Sequence, residues 1–196
     1  MRFGGVEVCV ADAHRLKSER TAPRLDARGE CVVIRLRCSV LHEPNHSRIN
    51  LPDEAATTAF AARLAHVLQP GLVFYLRGNL GAGKTTLVRA LLQSLGYTGR
   101  VKSPTYTLVE RYEVAGLNLR HFDLYRFRDA EEWESSGFRD EFDGCNICLV
   151  EWPEKATGLL PPADISITFE MFQDGREIVL HAYTDAGQRC LNALPA

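Results

Sequence analysis

The sequence predicts an α/β domain in which short buried strands alternate with helices and antiparallel strands lie alongside. Three observations carry that expectation. Leu72-Val73-Phe74-Tyr75-Leu76, an apolar and β-prone run, leads into Gly78-Asn79-Leu80-Gly81-Ala82-Gly83-Lys84-Thr85-Thr86, after which Leu87, Val88, Leu91, Leu92 and Leu95 recur at helical spacing until Gly96. A second apolar run, Ile147 to Val150, ends on Glu151. Two pairs of β-prone segments, joined at Ala115-Gly116 and at Asp174-Gly175, read as antiparallel hairpins. Short apolar runs bounded by turn residues mark buried strands, and spacings of three and four mark a helix with one apolar face.

The bulk composition narrows the class. A chain of 196 residues suffices for one substantial domain with an appendage. At 45% hydrophobic and 24% charged it is globular rather than disordered in composition. A net charge of −2 provides no overall basic field of the kind a DNA or RNA binder displays. No apolar run approaches the length of a membrane span, and Met1-Arg2-Phe3-Gly4-Gly5 does not open a signal peptide. The six cysteines are scattered, which fits a reduced, cytoplasmic protein.

Residues 1–46 differ in character from the rest of the chain. Val6 to Val10 and Cys31 to Leu36 have the composition of strands, while Ala13 to Glu30 is charge-rich with little periodicity. Cys31, Cys38, His42 and His46 lack the paired spacing of zinc ligands and are read as chance scatter. Residues 1–46 are taken as an extension with no assigned role, ahead of a domain at 47–196. Because Met1 and Met171 are the only methionines, one expectation is that translation starts at a non-AUG codon near Val40 or Leu41.

Asn50-Leu51-Pro52 then leads into a predicted helix running to about Leu68. Asp53 and Glu54 suit the positive end of its dipole, Phe60, Leu64, Val67 and Leu68 form its apolar face, and Pro70-Gly71 ends it. The glycine-rich stretch beyond it fits G-x-x-x-x-G-K-[ST] at every fixed position, between a strand and a helix as the motif requires. Glycines let backbone N–H groups approach phosphate oxygens without an intervening Cβ, and the helix behind adds unpaired N–H groups and partial positive charge. Lys84 is expected to reach the β- and γ-phosphates and the Thr85 hydroxyl to ligate Mg²⁺. The chain is therefore expected to bind a nucleoside triphosphate.

Ser103-Pro104 interrupts regular structure, and Thr105 to Val114 with Leu117 to Tyr125 form the first predicted hairpin. The hydroxyl-rich segment reads equally as a switch that senses the γ-phosphate and as an ordinary threonine-rich strand. Asp123 stands among apolar neighbours, and Asp129 is placed to cap an acidic helix with Glu131, Glu132 and Glu134 on a solvated face. Glu151, at the tip of a buried strand, occupies the position where phosphate-loop proteins place the carboxylate on the Mg²⁺ side. Cys145 and Cys148 lack the helix N-terminus a redox pair needs and a second pair to hold zinc. Trp152 suits either stacking at the site or core packing. After Leu159-Leu160-Pro161-Pro162, strands at Ile165 to Phe169 and Glu177 to Tyr183 flank the second turn, and a short helix follows Thr184.

Four strings together go further: GNLGAGKTT (78–86), VKSPTYTLVE (101–110), HFDLYR (121–126) and ICLVEWP (147–153). In this order and spacing, residues 49 to 196 resemble the TsaE (YjeE) family. The resemblance implies a three-layer fold of the P-loop NTPase type, with parallel central strands flanked by antiparallel ones. It implies a Mg²⁺-dependent ATPase, weak alone, that binds the TsaB–TsaD complex and resets it during threonylcarbamoylation of adenosine 37 in tRNA. TsaC would supply the threonylcarbamoyl group, and tRNA would be reached only through the complex. Gly81, Ala82, Gly83, Lys84, Thr85 and Thr86 would hold the phosphates, Thr85 and Glu151 the Mg²⁺, and Asp123 would serve turnover. Thr105 and Thr107 would lie in the switch, Trp152 beside the site, and Glu54, Gly175 and Arg176 on the adenine side. Asn79 stands where the family commonly has an acidic residue, a change that bears on hydrolysis and leaves the cradle glycines intact.

Two other uses of the loop remain open on the residues alone. A small-molecule or nucleotide kinase would need a second substrate pocket and an arginine-rich lid; Arg126 and Arg128 are available, but no lid-like insertion is visible. A nucleotide-switched binding module with negligible turnover would retain the same Lys84, Thr85 and Glu151. No N-K-x-D guanine motif follows the loop, so ATP is expected rather than GTP.

Overall fold

A computed structural model describes residues 21–25, 31–35, 46–172 and 175–195. The chain divides into two units, Met1–Glu43 and Pro44–Ala196. In the first, β1 (Thr21–Leu25) pairs antiparallel with β2 (Cys31–Arg35), Thr21 opposite Arg35. β2 is the strand expected from its β-branched run. β1 is not expected from its residues, since it lacks apolar alternation and carries Pro23, which removes a ladder donor. The predicted strand at Val6 to Val10, and Cys38 and His42 of the scattered set, lie outside the described residues.

The second unit begins with β3 (His46–Leu51), α1 (Glu54–Ala65), β4 (Val73–Arg77) and α2 (Lys84–Ser94). There follow β5 (Val109–Val114), β6 (Leu117–Asp123), α3 (Ala130–Ser135) and β7 (Ile147–Glu151). β8 (Ile165–Phe172), β9 (Gly175–Ala182) and α4 (Asp185–Asn192) complete it. The strands form one seven-stranded sheet in the order β3-β9-β8-β4-β7-β6-β5. Its central strands, β8, β4, β7 and β6, are mutually parallel. β5 on one side, and β9 and β3 on the other, join antiparallel. This is the α/β architecture expected, with parallel strands at the centre and antiparallel flanks.

The period-two alternation of the strands builds two cores. Phe74 and Leu76 of β4 and Ile147 and Leu149 of β7 pack with Phe60 and Leu64 of α1, Leu87 and Leu91 of α2, and Cys190 of α4. On the opposite face Val73 of β4 and Cys148 and Val150 of β7 pack with Phe122, Phe138 and Trp133 of α3. Strands covered on both faces read as continuous apolar runs, which is why β4 and β7 are legible in the sequence. Asp53, Asp129 and Thr184 cap α1, α3 and α4 by accepting hydrogen bonds from the Ala56, Glu132 and Gly187 amides at 2.7, 3.1 and 3.1 Å.

Two expectations are corrected. β3 has no counterpart among the predicted strands; it is an edge strand of mixed polarity that finds its place only by pairing with β9, Leu51 opposite Arg176. The strand expected from Thr105 begins only at Val109. Residues 105–107 form a turn, closed by the Leu108 amide donating to the Pro104 carbonyl at 2.6 Å, with Leu108 at φ 62°. Pro104 breaks the ladder, and the Ser103 and Thr105 hydroxyls are engaged elsewhere. The β8–β9 hairpin forms with Phe172 opposite Gly175, while Asp174 of the predicted turn lies outside the described residues.

Both cores can be probed directly. Trp133 is fully buried against Phe127, Phe138 and Phe142, so Trp133→Ala is expected to cost about 3–5 kcal/mol of unfolding free energy. Urea denaturation measures it, and a loss below about 1 kcal/mol would mean that this face is not packed as described. Burial pushes the Cys148 thiol up to about 12 and that of Cys190 to about 11, whereas Cys145 is exposed. Iodoacetamide at pH 8 should therefore label Cys145 and spare Cys148 and Cys190 in the folded protein. Peptide mapping that found Cys148 labelled as fast as Cys145 would contradict its burial.

Candidate active site at the carboxyl edge of the sheet

Parallel pairing brings the ends of β4, β6 and β7 to one edge of the sheet. Leu76 lies opposite Glu151, and Asp123 lies opposite Glu151. The loop after β4 and two carboxylates thus meet at the carboxyl ends of parallel strands, where open α/β sheets bind their ligands. The cleft there holds about 470 Å³, within the ordinary range for small-molecule sites.

The loop is shaped by glycine. Gly83 has φ 104° and caps the start of α2, and a Cβ on it would collide with the Arg176 guanidinium. Gly81, at φ 75°, lines the cleft in a left-handed conformation that glycine adopts without strain, and a Cβ there would meet no atom within 4 Å. α1, α3 and α4 carry side-chain caps, but α2 has none. Gly83 through Thr86 line the cleft, and no side chain caps the amides at this end of the helix. That arrangement suits an anion.

Lys84 is buried, with its Nζ donating to the Gly78 and Asn79 carbonyls at 2.7 and 3.0 Å. Nζ also stands 4.0 Å from the centre of the Trp152 ring. Burial lowers its pKa, while Glu151, Asp123 and Glu154 oppose that fall. Trp152 has φ 59°, an uncommon conformation for a bulky residue, and leans on Tyr125 with ring centres 5.0 Å apart. It lines the cleft and also packs against the core around Trp133, so both expected roles are met.

Glu151 is 3% exposed and is held on one oxygen. Its Oε1 accepts from the Thr85 hydroxyl at 2.8 Å and lies 2.8 Å from His121 Nε2. Since a hydroxyl that donates its proton keeps its lone pairs, Thr85 and the other Glu151 oxygen together form a hard-oxygen donor set. Among the described residues no group of three or more His, Cys, Asp or Glu side chains could hold a metal ion. A cation would therefore rely on one carboxylate, one hydroxyl and the oxygens of its ligand, a donor set that fits Mg²⁺ on a polyphosphate.

Asp123 is 4% exposed and anchors the hydroxyl-rich segment. Its Oδ2 accepts from the Ser103 hydroxyl and from the Thr105 hydroxyl, the latter at 2.8 Å, and its Oδ1 accepts from the Tyr125 amide at 3.0 Å. Thr105 lines the cleft; Thr107 is exposed, bonds Glu110 at 3.4 Å and is not among the lining side chains. Glu54, the first residue of α1, is exposed and does not line the cleft either. Gly175 abuts the backbone of Leu51 and Pro52, leaving no room for a Cβ, and Arg176 reaches over Gly83.

Ser103, Tyr106, Tyr125 and Arg126 also line the cleft, and His121 touches Glu151 beneath it; sequence reasoning assigns none of them to the site. Ser103 is legible as part of the same hydroxyl string. His121 has a signal too, because two residues from Asp123 on a strand means the same face. Tyr106 and Arg126, stacked 4.7 Å apart at the rim, come together only through the fold.

The family model described as "Threonylcarbamoyl adenosine biosynthesis protein TsaE" matches residues 51–178, a span holding the loop and both carboxylates. A Haemophilus influenzae protein, tRNA threonylcarbamoyladenosine biosynthesis protein TsaE, is 47% identical over 148 residues, covering 73% of this chain and 94% of that one. A Bacillus subtilis protein of the same name is 39% identical over 139 residues, covering 70% and 84% respectively. The crystal structure of Bacillus subtilis YdiB superposes with a TM-score of 0.65 at 30% identity, over 78% of this chain and 96% of that chain. Fold, motif order and relatives agree: the chain belongs to the TsaE family.

Proposed function

We propose that this chain is the Mg²⁺-dependent ATPase of tRNA threonylcarbamoyladenosine formation at position 37. It acts in the cytoplasm on the TsaB–TsaD complex and reaches tRNAs that read codons starting with A through that complex. The observation that carries the reading is the Thr85–Glu151 hydrogen bond at the uncapped start of α2. It joins the phosphate loop to a buried carboxylate, the pairing that a triphosphate–metal site requires. Relatives named for this modification support the pathway. Among the described residues no helix is long and apolar enough to cross a membrane.

In this reading the amides of Gly81 and of Gly83 to Thr86 receive the phosphates, while buried Ala82 closes the loop by donating its amide to the Asn79 carbonyl at 3.1 Å. Lys84 exchanges two neutral carbonyl acceptors for charged phosphate oxygens, which are the stronger acceptors. Bound Mg²⁺ would neutralise charge developing on the β- and γ-phosphates. Thr85 and Glu151 hold the metal side. Asp123 fixes Ser103 and Thr105, so the hydroxyl segment is placed to follow the state of the γ-phosphate. Glu54, Gly175 and Arg176, which lie outside the cleft lining, would serve the adenine side, with Arg176 next to Gly83 of the phosphate loop.

The test is multi-turnover threonylcarbamoylation of tRNA by purified TsaB, TsaC and TsaD. Wild-type protein should stimulate it and Lys84→Ala should not; a folded wild-type protein that fails to stimulate contradicts the assignment. Calorimetry separates the residue roles. Lys84→Ala should lose productive ATP binding, while Glu151→Ala should reduce Mg²⁺-dependent turnover more than nucleotide affinity. The reverse pattern would show that the two roles are wrongly assigned.

A further inference from the structure

We propose that His121 is a positioning residue for the metal side of the site, fixing the Glu151 carboxylate and thereby setting the affinity for the divalent cation. The inference rests on the Mg²⁺–ATP reading above. His121 is fully buried, and its ring has a single hydrogen-bond partner, Glu151 Oε1 at 2.8 Å from Nε2. Nδ1 is buried with no hydrogen-bond partner among the described residues. A carboxylate can only accept, so Nε2 carries a proton and is the donor in this contact.

The cost of burying an imidazole with one nitrogen unpaired is not explained by packing. Leu119, two residues earlier on the same face of β6, fills its place in the core without any polar atom. What the imidazole adds at 121 is a donor aimed at one oxygen of one carboxylate. Thr85 donates to that same oxygen from α2, while His121 donates from β6. Two donors from two elements converge on Oε1, so the carboxylate cannot turn about its terminal torsion without losing at least one of them. The other oxygen is left without a hydrogen-bond donor among the described residues, on a side chain that lines the cleft. Thr85 is itself expected to ligate the metal, so its hydrogen bond alone is a weaker clamp. His121 has no other task. Partners that hold a ligand in this way orient it before the metal arrives.

The test uses the full chain and Mn²⁺ as the metal probe, its affinity read by electron paramagnetic resonance with ATP present. ATP affinity in EDTA is the control. His121→Asn keeps a polar side chain that stops short of Glu151, and it should weaken Mn²⁺ binding by about 10–100-fold while leaving metal-free ATP binding unchanged. His121→Gln, whose amide nitrogen reaches about as far as Nε2, should recover most of the loss. Wild-type affinity in His121→Asn would overturn the proposal, as would equal losses in both variants. Nitrogen-15 spectra of the wild type read the same bond with no substitution: a proton on Nε2 is expected, and a ring bare at Nε2 would overturn the proposal. If wild-type protein showed no ATP-dependent Mn²⁺ binding at all, the Mg²⁺–ATP reading itself would fail, an outcome distinct from failure of the role of His121.

Discussion

The parallel pairing of β4 with β7 is the constraint on which the site depends. Phe74 opposite Leu149 and Leu76 opposite Glu151 fix the register between the strand that feeds the glycine loop and the strand that ends on the acid. A slip of one residue would exchange the faces of β7 and send Glu151 away from α2. The register is protected because both faces of both strands are buried in different cores, each demanding its own set of side chains. Packing energy far from the cleft thereby sets the position of one carboxylate relative to one hydroxyl.

The edge so formed concentrates charge in a place where charge is expensive. Lys84, Asp123 and Glu151 are all at most 4% exposed. Burying an ion costs several kcal/mol even after relaxation, so each must be offset by hydrogen bonds. Asp123 obtains three donors, Glu151 two and Lys84 two carbonyl acceptors. The left-handed backbone of Trp152 adds local strain on the residue that covers Lys84. Asp123 and Glu151, held this firmly before any ligand arrives, would need little reorganisation on binding one, whereas Lys84 would have to release its two carbonyl acceptors.

Much of this is legible in the residues, and the remainder is hidden for identifiable reasons. β4, α2 and β7 declare themselves because apolar runs and a fully matched loop motif are local signals. Lys84, Thr85 and Glu151 follow from that motif and from strand position. The hairpins are visible through Ala115-Gly116 and the turn beside Gly175, whereas β3 is not, since an edge strand depends on its partner. The segment at Thr105 misleads because threonine favours strands, while here its hydroxyl is satisfied by Asp123, eighteen residues away. The rim of Tyr106, Tyr125 and Arg126 is a tertiary product of two segments and has no sequence spacing to betray it.

The most direct test of a triphosphate site at this edge is an ATP titration followed by the emission of Trp152, with and without Mg²⁺. Trp133 is the other tryptophan and is sealed in the far core, so Trp152→Phe isolates its signal. Lys84 stands over the Trp152 ring and should move onto the phosphates, so a saturable emission change is expected, tightened by Mg²⁺ and abolished by Trp152→Phe. GTP should bind more weakly. A folded protein showing no saturable response to ATP, and no heat of binding under the same conditions, would contradict a triphosphate site at this edge.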